Sequence, residues 1–89
     1  MTSLQRKNEV QYLVKYNVEQ FVFEPNSQAT WRKISDRLNY ILAREANVED
    51  FKVLCDSTNN GPGNDLWVEA QVKFEGDADF TNLSLRVSA

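Results

Sequence analysis

Two hydrophobic periods divide the chain. In the first half, Val10, Leu13, Val14 and Val18 fall at i, i+3, i+4 and i+8, which predicts an amphipathic helix over residues 4–19. Phe21, Val22 and Phe23 then form a short apolar run that reads as extended chain. Glu24-Pro25-Asn26 stops that run: a proline turns the residue before it away from helix, and asparagine is a good helix N-cap. A second helix is expected from Ser27, with Trp31, Ile34, Leu38, Ile41 and Leu42 on one stripe, closing near Ala46-Asn47.

Beyond residue 47 the period is two. Phe51, Val53 and Cys55 alternate with Lys52, Leu54 and Asp56, as in a strand with one buried face. Residues 57–65, STNNGPGND, are rich in turn formers and read as a loop. Leu66, Val68, Ala70, Val72 and Phe74 then alternate strictly with Trp67, Glu69, Gln71, Lys73 and Glu75. Gly76-Asp77-Ala78-Asp79 turns the chain into a last strand, where Thr81, Leu83, Leu85 and Val87 alternate with Asn82, Ser84, Arg86 and Ser88. The predicted order is αβαβββ with a very short first strand. Residues 1–89 then form a single α+β domain, two helices packed on a three- to four-stranded, mainly antiparallel sheet.

Such a sheet has a free edge. The last strand is flat, with Arg86 its only charge. An edge of that kind is either an aggregation hazard or a place where another chain's strand pairs, and pairing is the expectation here.

Composition narrows the function. Hydrophobic residues at 42% and aromatics at 11% are globular values, so a disordered segment is excluded. A chain of 89 residues hides only ~60% of its unfolded surface, which leaves stability marginal without help from a partner. There is no histidine and one cysteine, Cys55, so Cys/His zinc sites, intrachain disulfides and imidazole-based catalysis are out of reach. Net charge is -3, against the basic balance of most nucleic-acid binders. That charge is divided: residues 1–47 carry seven basic and five acidic side chains, and residues 48–89 carry three and eight. No run of seven apolar residues marks a signal peptide, and none approaches the ~18 needed to cross a bilayer. The expectation is a protein folded in a cytoplasm, with neither membrane nor nucleic acid as partner.

Few constellations suggest chemistry. Asp56-Ser57-Thr58-Asn59-Asn60-Gly61 opens like a calcium loop, but its twelfth position is Trp67 where a bidentate glutamate is required. A strand end tied by Asx-type hydrogen bonds is the expected reading. The carboxylates Glu49, Asp50, Glu75, Asp77 and Asp79 flank turns and read as solvated hairpin ends. A hydrolase pairing Asp56 with Glu69 or Asp65 has little behind it. Cys55 lies on an alternating apolar face and reads as a small core residue. On the second helix, at 100° per residue, Lys33, Arg37, Tyr40 and Arg44 cluster roughly 120° from the apolar stripe. They form either an ordinary solvated face or a seat for an acidic protein surface. Trp67 faces away from the apolar side of its strand, a partner surface if exposed. No enzyme activity and no cofactor are implied.

Two segments resemble a known family. Phe21-Val22-Phe23-Glu24-Pro25-Asn26, with Trp31 at the fifth position after Asn26, is similar to the "vFEPN....W" signature of contractile-tail sheath proteins. Some 25 residues on, the segment from Phe51 to Asn60 resembles that family's "f.V.cD.tnN". The resemblance spans Gln5 to Val87 and is to the family's C-terminal domain. Phe23, Glu24, Pro25, Asn26, Trp31, Asp56, Asn59 and Asn60 match the motif, and their physical roles are fold-building. Pro25 and Asn26 would end a strand and cap a helix, Trp31 would anchor it, and Asp56 with the Asn pair would order a loop.

The resemblance implies a non-enzymatic virion protein of a bacteriophage tail or related contractile injection system, assembled in the host cytoplasm. Sheath subunits form homo-oligomers around an inner tube, and the sheet is completed by strands from neighbouring subunits. Phe80, Thr81, Asn82, Leu83, Ser84, Leu85, Arg86 and Val87 would form that strand-exchange interface. Lys33, Arg37, Tyr40 and Arg44 would face the tail tube protein. The alternative the resemblance leaves open is an adaptor or terminator that binds sheath or baseplate at one end of the tail. Family proteins are several times longer, so the chain is expected to be either a mesh-forming core or a piece of a longer sheath.

Overall fold

The computed structural model describes residues 3–61, 63 and 65–88. Pro62 and Asn64 of the expected loop lie outside the described residues.

Helix α1 spans Ser3–Glu19. It buries Val10, Val14 and Val18, the i, i+4, i+8 row, while Leu13 beside them is half-buried. Helix α2 spans Gln28–Ala43 and buries Thr30, Ile34, Leu38 and Leu42. Trp31 and Ile41 flank that row half-buried.

Three expectations change in this half. Phe21–Phe23 is not a strand. Phe21 N–H donates to Val18 O at 3.0 Å, Val22 N–H to Glu19 O at 3.1 Å and Glu24 N–H to Phe21 O at 3.0 Å. The chain thus leaves α1 through tight turns. A strand would put Phe21 and Phe23 on one face, yet Phe21 is buried and Phe23 is 93% exposed. The helix N-cap is Ser27, not Asn26: Ser27 is extended and its Oγ accepts from Thr30 N–H at 3.4 Å. Helix α2 also closes earlier than Ala46-Asn47. Arg44 is its C-cap, and Asn47 O accepts from Glu75 N–H at 2.9 Å, which draws the chain into the sheet.

Strands β1 (Val48–Leu54), β2 (Asp65–Phe74) and β3 (Thr81–Ser88) form one antiparallel sheet in the order β1-β2-β3. The element order is therefore ααβββ, an α+β fold of two helices on a three-stranded sheet. Every second residue of β2, from Leu66 to Phe74, is at most 3% exposed. Leu66, Val68, Val72 and Phe74 join Val14, Val18, Ile34, Leu38 and Leu42 in one core. Helix α2 lies over β1 and α1 over β3, so both cover one face. The other face is open and carries Lys52, Leu54, Trp67, Glu69, Asn82, Ser84 and Arg86. Gly76, at φ +90, sits in the β2–β3 turn where a type II geometry favours glycine, and Asp77 N–H closes it onto Phe74 O at 3.0 Å.

The two free edges are unlike. On β1 the register slips between Val48 and Asp50, leaving Glu49 as an extra residue beside Asp50 and Lys52. A bulge and charges are standard defences of an exposed edge. Strand β3 pairs with β2 without a slip from Thr81 to Ser88, and Arg86 is its only charge.

Candidate functional site

Of the family-like residues, Asn26, Trp31, Asp56, Asn59 and Asn60 gather at one end of the sheet, whereas Phe23 is exposed and Glu24 pairs with Lys33. Trp31 Nε1 donates to Asn26 Oδ1 at 2.6 Å. Asn26 Nδ2 reaches the carbonyls of Gly61, Gly63 and Asp65, each at 3.1 Å. Its two hydrogens thus serve three acceptors, so one bond is shared. One side chain ties the start of α2 to the loop that leads into β2. Pro25 precedes it, exposed, just after the turn that Glu24 N–H closes onto Phe21 O.

A second knot follows β1. Asp56 Oδ1 accepts from Thr58 N–H at 2.8 Å and Thr58 Oγ1 at 2.6 Å, an Asx turn. Those bonds, the Thr58 hydroxyl first, hold the Asp56 carboxyl below its ordinary value. Asn60 is buried and binds both main-chain groups of Trp67: its Oδ1 accepts from Trp67 N–H at 2.7 Å and its Nδ2 donates to Trp67 O at 2.9 Å. Asn59 donates to Leu54 O at 3.0 Å and accepts from Asp56 N–H at 3.0 Å. Most of these bonds go to backbone, and the rest, such as Asn60 Nδ2 to Asn59 Oδ1 at 3.1 Å, stay within the knot. Among the described residues no cluster of three or more His, Cys, Asp or Glu could hold a metal ion.

Cys55 is buried beside this knot, and burial pushes its thiol up to about 11, so thiolate is scarce at neutral pH. The acidic groups disperse along one end: Asp77 pairs with Lys7 at 2.8 Å and Glu49 with Lys73 at 3.8 Å.

The four residues expected on the basic stripe share one face of α2, all exposed. Lys33, Arg37 and Tyr40 line a shallow depression of about 370 Å³ with Phe21 and Asp36. Arg44 lies over the Tyr40 ring at 4.2 Å, and Arg37 over Phe21 at 5.9 Å. Arg37 also donates to Asn17 Oδ1 at 3.4 Å, which links the two helices. Lys33 pairs loosely with Glu24 at 3.8 Å. The stripe keeps a positive surplus, though part of Arg37 is engaged inside the fold.

At the third cluster, Thr81, Leu83 and Leu85 face the core yet stay half-buried, whereas Val87 is buried. Asn82, Ser84 and Arg86 face the open side, Arg86 lying over Trp67 at 5.9 Å. Phe80, 38% exposed, lies beneath Lys52 at 5.5 Å. Trp67 is 44% exposed. Beside the β3 edge runs a groove of about 440 Å³, walled by Asn8, Gln11, Tyr12 and Lys15 of α1 and by Asn82–Leu85. None of its α1 residues stood out from the sequence. The available signal was Tyr12 and Tyr16, four apart and off the buried row, whose rings stack at 6.3 Å.

Among the described residues no helix is long and apolar enough to cross a membrane. Compared with family models, curated proteins and solved structures, the chain matches none of them.

Proposed function

We propose that the chain is a structural subunit of a contractile-tail sheath, assembling around an inner tube by exchange of strands between subunits. The observation that carries this reading is the contrast between the two sheet edges. β1 is guarded by a bulge and three charges, while β3 offers a regular, nearly uncharged edge over half-buried Leu83 and Leu85. A strand added there would cover both leucines and saturate the outward main-chain groups. The residues of the family-like motif support the reading from another side: Asn26, Trp31, Asp56, Asn59 and Asn60 all spend their polar atoms on holding the fold. On this reading the exposed stripe Lys33, Arg37, Tyr40 and Arg44 faces the tube.

Electron microscopy of the chain expressed alone and beside a tube protein tests the proposal. Rings or tubular polymers are the expected result. A chain that stays monomeric at high concentration in both settings would sink it.

A further inference from the structure

We infer that Asn60-Gly61 is a modification site gated by the fold: the asparagine deamidates when its loop opens, and the aspartate or isoaspartate left behind cannot rebuild the loop. Nothing in this depends on how the chain assembles.

The reaction needs no enzyme and no co-reactant but water. The main-chain nitrogen of Gly61 gives up its proton and attacks Asn60 Cγ. A new C–N bond closes a five-membered succinimide, and Asn60 Nδ2 leaves as ammonia. Water then opens the ring at either carbonyl. One opening gives aspartate; the other gives isoaspartate, with the main chain rerouted through the side chain. Closure is easiest where the following residue has no Cβ to crowd the attacking nitrogen or restrict its backbone, which is glycine. Of the asparagines in the chain, Asn60 alone precedes a glycine.

The fold does not ask for that glycine. Gly61 is exposed, and its φ lies outside the positive region that Gly63 and Gly76 occupy. A Cβ at Gly61 would meet no atom within 4 Å. What glycine brings there is reactivity, and the side chain before it is held so as to withhold it. Asn60 is buried, its Oδ1 accepts from Trp67 N–H at 2.7 Å, and its Nδ2 donates to Trp67 O at 2.9 Å and Asp56 O at 3.3 Å. The atom that must leave is thus the one tying Asn60 to two carbonyls, so reaction waits for the loop to open.

The product is worse than a lost bond. A carboxylate oxygen stands where Nδ2 stood and faces the Trp67 and Asp56 carbonyls with no hydrogen to offer. Isoaspartate lengthens the main chain as well. Each opening therefore exposes the chain to irreversible loss, a kinetic limit on its lifetime that equilibrium stability does not describe.

Mass spectrometry of one tryptic peptide tests this. Cleavage after Lys52 and Lys73 releases residues 53–73, which hold Asn59, Asn60 and Asn64 together. The full chain is kept in warm neutral buffer, folded in one sample and unfolded by guanidinium chloride in another. Fragmentation of the peptide then locates the gain of about 1 Da that deamidation brings. The gain is expected at Asn60, and about tenfold or more slower in the folded sample. Gly61→Ala should slow it by about tenfold or more in guanidinium chloride, an arm that requires no folding. After return to buffer, modified chains should remain protease-sensitive while unmodified chains regain resistance.

Modification at Asn59 or Asn64 ahead of Asn60 overturns the inference, as does a rate that Gly61→Ala leaves unchanged. Equal rates in the folded and unfolded samples would remove the gate. Modified chains as resistant as unmodified ones would show that the loop closes without its amide, and the inference would fall with it.

Discussion

The indole N–H of Trp31 meets Asn26 Oδ1 at 2.6 Å, and the same Asn26 holds three loop carbonyls with its amide nitrogen. Acceptor and donor act at once, from the two different atoms of one planar amide. Asn26→Asp keeps the bond to Trp31 and loses every bond to the loop, placing a negative charge against carbonyl oxygens. Asn26→Asp should cost about 1–3 kcal/mol in urea unfolding and at least match Asn26→Ala. Equal stability of Asn26→Asp and wild type would mean the loop is held by something else.

Asn60 and Asn59 are neighbours with unequal stakes. Asn60 is buried and satisfies both main-chain groups of Trp67, while Asn59 is half-buried. Asn60→Ala leaves the part-buried N–H of Trp67 without its partner and should lose about 1–3 kcal/mol; Asn59→Ala should lose less. Chemical denaturation of the two variants gives the order directly.

Alkaline pH should weaken the fold through Cys55. Its folded value, about 11, lies above the ordinary 9.0, chiefly from burial, with Asp56 raising it further and the Asn60 bond opposing. The neutral thiol is thus favoured by folding. Its contribution is complete below pH 9.0 and is lost as pH climbs toward about 11 and the unfolded chain ionises first. The denaturation midpoint should fall between pH 8 and 10 by more in wild type than in Cys55→Ala, which removes the other titrating groups from the comparison. Parallel losses would mean that Cys55 is not the source of the effect.

Edge pairing predicts a separation of folding from assembly. Ser84 is exposed on the open face of β3, so Ser84→Lys should alter stability by no more than about 0.5 kcal/mol while guarding the edge as β1 is guarded. Thermal unfolding and electron microscopy of one preparation measure both. Truncating the strand is a poorer probe, because Val87, Leu83 and Leu85 contribute to the core beneath α1.

The basic stripe can be reversed with equally little damage. Lys33→Glu breaks only a loose contact with Glu24 at 3.8 Å, and Arg44→Glu a ring contact worth about 0.5–1 kcal/mol. The double variant should fold, yet lose salt-sensitive association with an acidic tube surface in co-sedimentation. Unchanged association would take the stripe out of the tube contact.

How much was legible in advance varies with the range of the interaction responsible. Periodicity gave α1, α2 and all three long strands, because burial of one face imposes 3.6 or 2 on the sequence directly. The Asx turn at Asp56 was readable because its partner is local: Thr58 lies two residues away. The run Phe21–Phe23 misled, as three consecutive apolar residues have no period. Only the position of the core decides that Phe21 turns in and Phe23 out.

Asn26 shows the limit most plainly. By itself the residue reads as an N-cap, a local role that Ser27 takes instead. Besides Trp31, five residues on, its partners lie 35, 37 and 39 residues away, and nothing in the neighbouring sequence names those three. The groove is the same case: Tyr12 and Lys15 become its wall only once α1 lies along β3. Sequence determined the elements, their buried faces and the absence of imidazole chemistry, all consequences of composition and local spacing. Tertiary structure alone decided which edge is guarded and what stands beside the open one, because both follow from strand order and helix placement, which sequence spacing does not encode.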